Sequence, residues 1–130
     1  MLFFGIRCEG KLQGLMLLST IIRDSKAKEQ EGKTILYIQY IETAPWNLPV
    51  FVEQPMYSLV GTNFIDVAIR VSLDEECGGR IALHSLPQSD GFYTKCGMID
   101  LGQDSGFDNL RYFEMTKEQA ASFISEENEL

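Results

Sequence analysis

The sequence predicts a mixed α/β fold of one domain over residues 1–130. Three observations predict it. The run Thr34–Thr43 carries Ile35, Leu36, Tyr37, Ile38, Tyr40 and Ile41 on both faces of one strand, the pattern of a central strand covered on both sides. Residues 61–73 put Phe64, Ala68 and Val71 on one helical stripe with Ile65 and Val67 beside it, and Gly78 and Gly79 follow as a stop. Around these two segments, apolar runs and turn residues succeed one another in the order β-β-β, then α-β-α-β-β-α. That order describes a hairpin-built sheet whose middle carries helices on both faces.

Taken in order, residues 2–8 are an apolar run that ends at Glu9-Gly10-Lys11, and residues 12–22 are apolar again. Two such runs about a glycine turn form a hairpin, although Leu15-Met16-Leu17-Leu18 also suits a helix. Residues 24–33 are polar and charged and read as an exposed loop. After the central strand, which ends near Glu42, the run Ala44-Pro45-Trp46-Asn47-Leu48-Pro49 breaks regular structure. Pro55 is a further breaker. The helix over 61–73 carries Asp66 and Arg70 as an i, i+4 pair on its outer face. Residues 80–84 form a short strand. Pro87 suits the first turn of a helix that runs to about Lys95 and stops at Gly97. Residues 98–101 and 110–115 form a second hairpin about a polar loop. Thr116 caps a final helix to Ile124, with Glu118 just after it, and residues 126–130 fray.

Composition narrows the class. Apolar residues make up 45% and charged residues 23%, as in ordinary soluble domains. The net charge of −8 argues against nucleic acid as a partner, because such proteins need a basic footprint. Cys8, Cys77 and Cys96 lack metal-site spacing, so no metal is expected, and free thiols suit a reducing cytoplasm. The apolar start breaks at Gly5, Arg7 and Glu9, too soon for a signal segment or a membrane span. His84, the one histidine, sits in an apolar strand and reads as a core residue.

Three places offer chemistry. Ser58-Leu59-Val60-Gly61-Thr62-Asn63 leads into a helix, whose start has unpaired N–H groups and a partial positive charge. Gly61 would let a phosphate approach the backbone, and Thr62 and Asn63 would add donors; an ordinary helix start looks the same. Tyr93 carries a phenol able to protonate a thiolate or alkoxide, or is an aromatic packed beside Phe92. Glu42, at a strand end beside an irregular loop, is placed either as a general base or simply toward solvent. Tyr37, Gln39 and Tyr40 on the same strand are placed to position a substrate.

On these residues the stretch from Thr34 to Met98 resembles the GNAT superfamily of acetyl-CoA-dependent N-acetyltransferases. That family's diphosphate loop follows Q/R-x-x-G-x-G/A after its fourth strand, and here only Gly61 of Ser58–Asn63 matches. Its short strand and helix ending Phe-Tyr-x-Lys-x-Gly-Phe are closely similar to residues 80–84 followed by Phe92-Tyr93-Thr94-Lys95-Cys96-Gly97-Met98. The resemblance implies acetyl-CoA lying where two central strands splay. Backbone groups of Ile41 to Thr43 would bind the thioester and pantetheine. N–H groups of Leu59, Val60, Gly61, Thr62 and Asn63 would hold the diphosphate, and Tyr93 would protonate the leaving thiolate. Glu42 would be the base toward an attacking primary amine, the acceptor. The family's first strand and the two helices after it have no counterpart, so the fold reads as N-terminally shortened. A partner subunit or second copy would then complete the acceptor side, or the acceptor is large, or catalysis is lost and the chain is a regulatory module that binds CoA.

Overall fold

The computed structural model describes residues 2–8, 10–43 and 57–128, without the side chains of 6–8, 43, 57–59 and 127–128. The hairpin read at the N-terminus is β1 (Leu2–Cys8) with β2 (Lys11–Leu18). The short β3 (Arg23–Asp24) leads to β4 (Thr34–Thr43), which has the bounds expected from its apolar run. Helix α1 (Tyr57–Asp74) starts four residues before Gly61. Then come β5 (Ile81–Ser85), a 3-10 turn at Pro87–Ser89, α2 (Asp90–Lys95), β6 (Ile99–Asp104), β7 (Leu110–Met115) and α3 (Lys117–Asn128). Thr116 caps α3 as expected, and Gln119 reciprocates. Thr116 Oγ1 accepts from the Gln119 N–H at 3.1 Å, while Gln119 Oε1 accepts from the Thr116 N–H at 2.9 Å.

The sheet runs β1-β2-β4-β5-β7-β6, with β3 paired to β4 off that path. Every pairing is antiparallel except β4 with β5, which is parallel. One core holds the molecule together. Met16, Leu18, Leu36, Ile38, Ile81, Leu83, Phe113 and Met115 of the sheet pack with Phe64, Ile65 and Ile69 of α1, Tyr93 of α2 and Ala120 of α3. All three described helices therefore lie on one face, which corrects the expectation of helices on both.

The opposite face is closed differently. Ile35, Tyr37, Ala82 and Tyr112 form a second cluster, and the chain at 25–33 folds over part of it. This is why β4 is apolar on both sides without a second helix layer. It also corrects the exposed-loop expectation for 24–33, because Ser25, Ala27 and Gln30 are buried. Glu114, fully buried on β7, is the anchor. Its carboxylate accepts from the N–H groups of Lys26 at 2.7 Å and Ala27 at 3.1 Å, from Gln30 Nε2 at 3.1 Å and from the Tyr112 hydroxyl at 2.6 Å. A carboxylate can be buried at this depth when its lone pairs are all occupied. Among the described residues no helix is long and apolar enough to cross a membrane.

Candidate active site

The parallel ladder between β4 and β5 is short. Leu36 faces Ile81, Tyr37 faces Ala82, and Ile38 faces Leu83. Beyond Ile38, β4 stays with β2, and beyond Leu83, β5 stays with β7. The two strands thus part at their carboxyl ends, where crevices in sheets with parallel strands hold ligands. On β4 the backbone from Gln39 onward has no β5 partner, so hydrogen-bonding groups of the Ile41–Thr43 segment face the gap.

A bulge aims the side chains there. Leu17 pairs with Tyr40 but Leu18 with Ile38, which leaves Gln39 as an extra residue. The bulge inverts the alternation of β4. Ile41 packs against the helix-side core, whereas Tyr40 and Glu42 turn to the opposite face. Glu42 is exposed, and its carboxylate accepts a short hydrogen bond from the Tyr40 hydroxyl. That bond raises the Tyr40 pKa above its ordinary value, with a smaller contribution from burial.

Helix α1 returns from this end of the sheet. Gly14, paired with Thr43, has no Cβ; one would stand 2.7 Å from the Glu42 carbonyl oxygen and 2.8 Å from Phe64 Cε2. The glycine thereby lets the first turns of α1 sit down on β2 and β4. The unpaired N–H groups of a helix are those of its first turn, which here begins at Tyr57. Leu59 and Val60 lie in or next to that turn. Gly61, Thr62 and Asn63 lie in the second, where helical geometry directs N–H groups to the carbonyls four residues back. Gly61 is not a turn residue, then. A Cβ on it would be 2.7 Å from Phe92 Cζ, so its bareness admits the Phe92 ring of α2. The helix began earlier than the sequence suggested because the start signal at Gly61 is a packing signal.

Tyr93 is 7% exposed on the helix side, with its ring 5.3 Å from that of Phe92 and 5.8 Å from that of Phe113. Tyr93 and Glu42 thus belong to opposite faces of the sheet. Among the described residues no cluster of three or more His, Cys, Asp or Glu is arranged to hold a metal ion. A cavity of about 280 Å³ between the end of α2 and α3, lined by Lys95, Cys96, Glu118 and Phe123 among others, contains none of the expected site residues.

One constellation had no local signal. Tyr37 and His84 lie 47 residues apart, and His84 and Asp104 lie 20 apart. Strand register alone assembles them on the face away from the helices. The Tyr37 hydroxyl is 2.5 Å from His84 Nδ1, and His84 Nε2 is 2.9 Å from Asp104 Oδ2. Phe107 stacks on the imidazole at 3.9 Å, and Tyr112 lies on its other flank at 4.9 Å. The hydrogen bond from His84 holds the Asp104 carboxyl below the usual range, helped by the Gly106 N–H. Burial pushes the Tyr37 phenol up, against a lowering by Arg23, whose guanidinium lies 3.8 Å from the ring centroid.

No family model and no curated protein matches the sequence. Solved structures match its shape. A bacterial toxin superposes with TM-score 0.67 at 9% identity, over 89% of this chain and 66% of its own. A mutant of the AtaT toxin, bound to the C-terminus of the antitoxin AtaR and to acetyl-CoA, superposes with TM-score 0.60 at 13% identity, over 90% of this chain and 69% of its own. A GNAT-family acetyltransferase from Listeria monocytogenes gives TM-score 0.47 at 16% identity, over 82% and 58%. The chain thus spans about two-thirds or less of the length of these structures, and at such identities the likeness is one of fold.

Proposed function

We propose that this chain, whose fold is GNAT-like, is an N-acetyltransferase that moves the acetyl group of acetyl-CoA to a primary amine by direct attack in a ternary complex. The observation that carries the proposal is the parting of β4 and β5 at their carboxyl ends in a sheet whose helix face packs against α1 and Tyr93 of α2. The gap fits the donor on two counts. Backbone groups of Ile41 to Thr43, freed from β5, can pair with the amides of a pantetheine arm as an added strand would. First-turn N–H groups of α1, around Leu59 and Val60, suit a diphosphate. Gly61, Thr62 and Asn63 contribute by shaping that end of the helix.

In this scheme the amine nitrogen forms a bond to the acetyl carbon, the C–S bond breaks, and the thiolate takes the proton of the Tyr93 hydroxyl. Donor and acid share the helix side of the sheet. The acceptor approaches from the other side, where Glu42 and Tyr40 stand. That side carries exposed apolar surface: Phe3 is 71% and Tyr40 48% exposed. A partner subunit or second copy covering it is part of the proposal, and the AtaT toxin, bound to the C-terminus of its antitoxin, offers a parallel.

The test is thiol release from acetyl-CoA with a panel of amines. Tyr93→Phe is expected to lower kcat about 100-fold while acetyl-CoA affinity stays within about twofold. Unchanged turnover would remove Tyr93 as the acid. One observation favours a second function: the ring of Phe92 fills the space at Gly61 that a phosphate would approach. A regulatory module that binds CoA without turnover then predicts a thermal shift with CoA and no thiol release.

A further inference from the structure

Tyr37, His84 and Asp104 meet on the face of the sheet away from the helices, the side from which the mechanism above brings the acceptor. Tyr37 sits on the last stretch of the β4–β5 ladder, and His84 is the first residue of β5 beyond it. Both are on the acceptor side. The chemistry of the three groups orders their protons. A carboxylate only accepts, so the 2.9 Å contact to Asp104 places the imidazole hydrogen on Nε2. In the neutral imidazole Nδ1 is then a lone pair, and the Tyr37 hydroxyl donates to it. The result is a directed chain from a phenol through an imidazole to a carboxylate, the same order of roles as hydroxyl, imidazole and carboxylate in a hydrolase triad. The two ends differ in access. Tyr37 is 5% exposed, and the Asp104 side chain is 25% exposed.

The surroundings keep the imidazole in one orientation. Phe107 and Tyr112 flank it, and Asp104 is itself held by the Gly106 N–H at 3.0 Å. The charged and titratable groups near the chain are Arg23 over Tyr37, Lys26 near Tyr112 and Asp104, and Glu114, which takes the Tyr112 hydroxyl. Glu42, by contrast, is exposed and already bonded to Tyr40.

We infer that Tyr37, His84 and Asp104 form the proton relay for the attacking amine. Resting on the acetyltransferase proposal, it assigns the acceptance of the amine's proton to this buried chain rather than to Glu42. As the N–C bond forms, the amine proton passes through one water to the Tyr37 oxygen, and the proton of Tyr37 passes to His84 Nδ1. The resulting imidazolium is balanced by Asp104, through which the proton reaches solvent. The thiolate is protonated by Tyr93 from the other face, so acid and base act on opposite sides of the gap. Tyr37 is the catalytic residue; His84 and Asp104 act through it.

The experiment uses the full chain, with acetyl-CoA as donor and spermidine, an internal-lysine peptide and a free-N-terminus peptide as acceptors. Calorimetry measures acetyl-CoA binding, thiol release gives kcat, and ¹⁵N NMR reads the hydrogen position on the single imidazole directly. Wild type is expected to show hydrogen on Nε2. Tyr37→Phe keeps the ring and is expected to lower kcat about 100-fold at unchanged acetyl-CoA affinity. Asp104→Asn should lower kcat at unchanged acetyl-CoA affinity and leave the imidazole hydrogen divided between the two ring nitrogens, because an amide can donate to Nε2 as well as accept from it. Glu42→Gln should lower kcat less than Tyr37→Phe does.

The relay is overturned, with the transferase proposal intact, if Tyr37→Phe retains wild-type kcat, if Asp104→Asn leaves both kcat and the imidazole hydrogen as in wild type, or if the wild-type hydrogen sits on Nδ1. A wild-type protein that binds no acetyl-CoA overturns both. One that binds acetyl-CoA yet turns over none of the three amines supports the regulatory function and overturns the relay.

Discussion

Gly61 shows how one residue can carry two meanings. In the sequence it is a glycine before a helix; in the structure it is the place where α1 and α2 touch. A methyl there would meet Phe92 Cζ at 2.7 Å, well inside contact distance. Gly61→Ala is therefore expected to destabilise the fold by about 1–3 kcal/mol, the usual range for overpacking, as measured by urea denaturation. Phe92→Leu in the same chain should recover most of that loss, because it removes the atoms in the way. A Gly61→Ala variant that keeps its stability but loses acetyl-CoA affinity would instead assign the glycine to ligand approach. Tyr93 and His84 differ in a similar way. The run around Tyr93 is a local pattern in the sequence, while the partners of His84 come from β4 and β6.

At the scale of elements, the chain over 25–33 is held by a side chain 80 or more residues away in sequence. Glu114 answers two backbone N–H groups, one amide and one phenol, at separations of 88, 87, 84 and 2. Glu114→Ala would leave those donors buried without an acceptor, at roughly 1–3 kcal/mol for each that water cannot reach. The expected loss is about 3–5 kcal/mol in all, since such terms do not add, and the loop should lose amide protection before the sheet does. Equal protection of loop and sheet amides in that variant would show the anchor to be unnecessary. The α3 cap is a smaller device. Thr116→Ala should cost about 1 kcal/mol, measured the same way.

For the whole molecule, the face away from the helices makes stability depend on pH at both extremes. Burial raises the Tyr112 pKa, and its bond to Glu114 adds to this; burial also raises that of Tyr37. A raised pKa means that the folded state holds the proton after the unfolded chain has released it. The contribution of these phenols is complete below the unfolded value of about 10 and is lost as pH rises above it toward the folded values. Asp104 has the opposite sign, because its pKa is lowered by His84 and Gly106. Its contribution is present above the unfolded value of about 3.9 and is lost as pH falls through the folded one. Melting temperatures taken across pH should therefore fall above about pH 10 less steeply in Tyr112→Phe than in wild type. They should fall at low pH less steeply in Asp104→Asn. Parallel curves would mean that these groups do not set the limits.

The sequence by itself determined the order of elements apart from the two-residue β3, the bounds of β4, the two hairpins and the likeness of residues 80–98 to a known acetyltransferase pattern. These are local properties: side-chain alternation, turn residues and a run of adjacent residues survive translation into structure because they depend on neighbours in the chain. The tertiary structure decided the rest. Whether a strand apolar on both sides is covered by helices or by a loop depends on what packs against it, and here Glu114 and the aromatic cluster replaced a helix layer. Which face Glu42 takes depends on a bulge at Gln39, visible only once β2 is in register. The relay of Tyr37, His84 and Asp104 exists because three strands bring together residues that the chain keeps far apart, and long-range register leaves no trace in local composition.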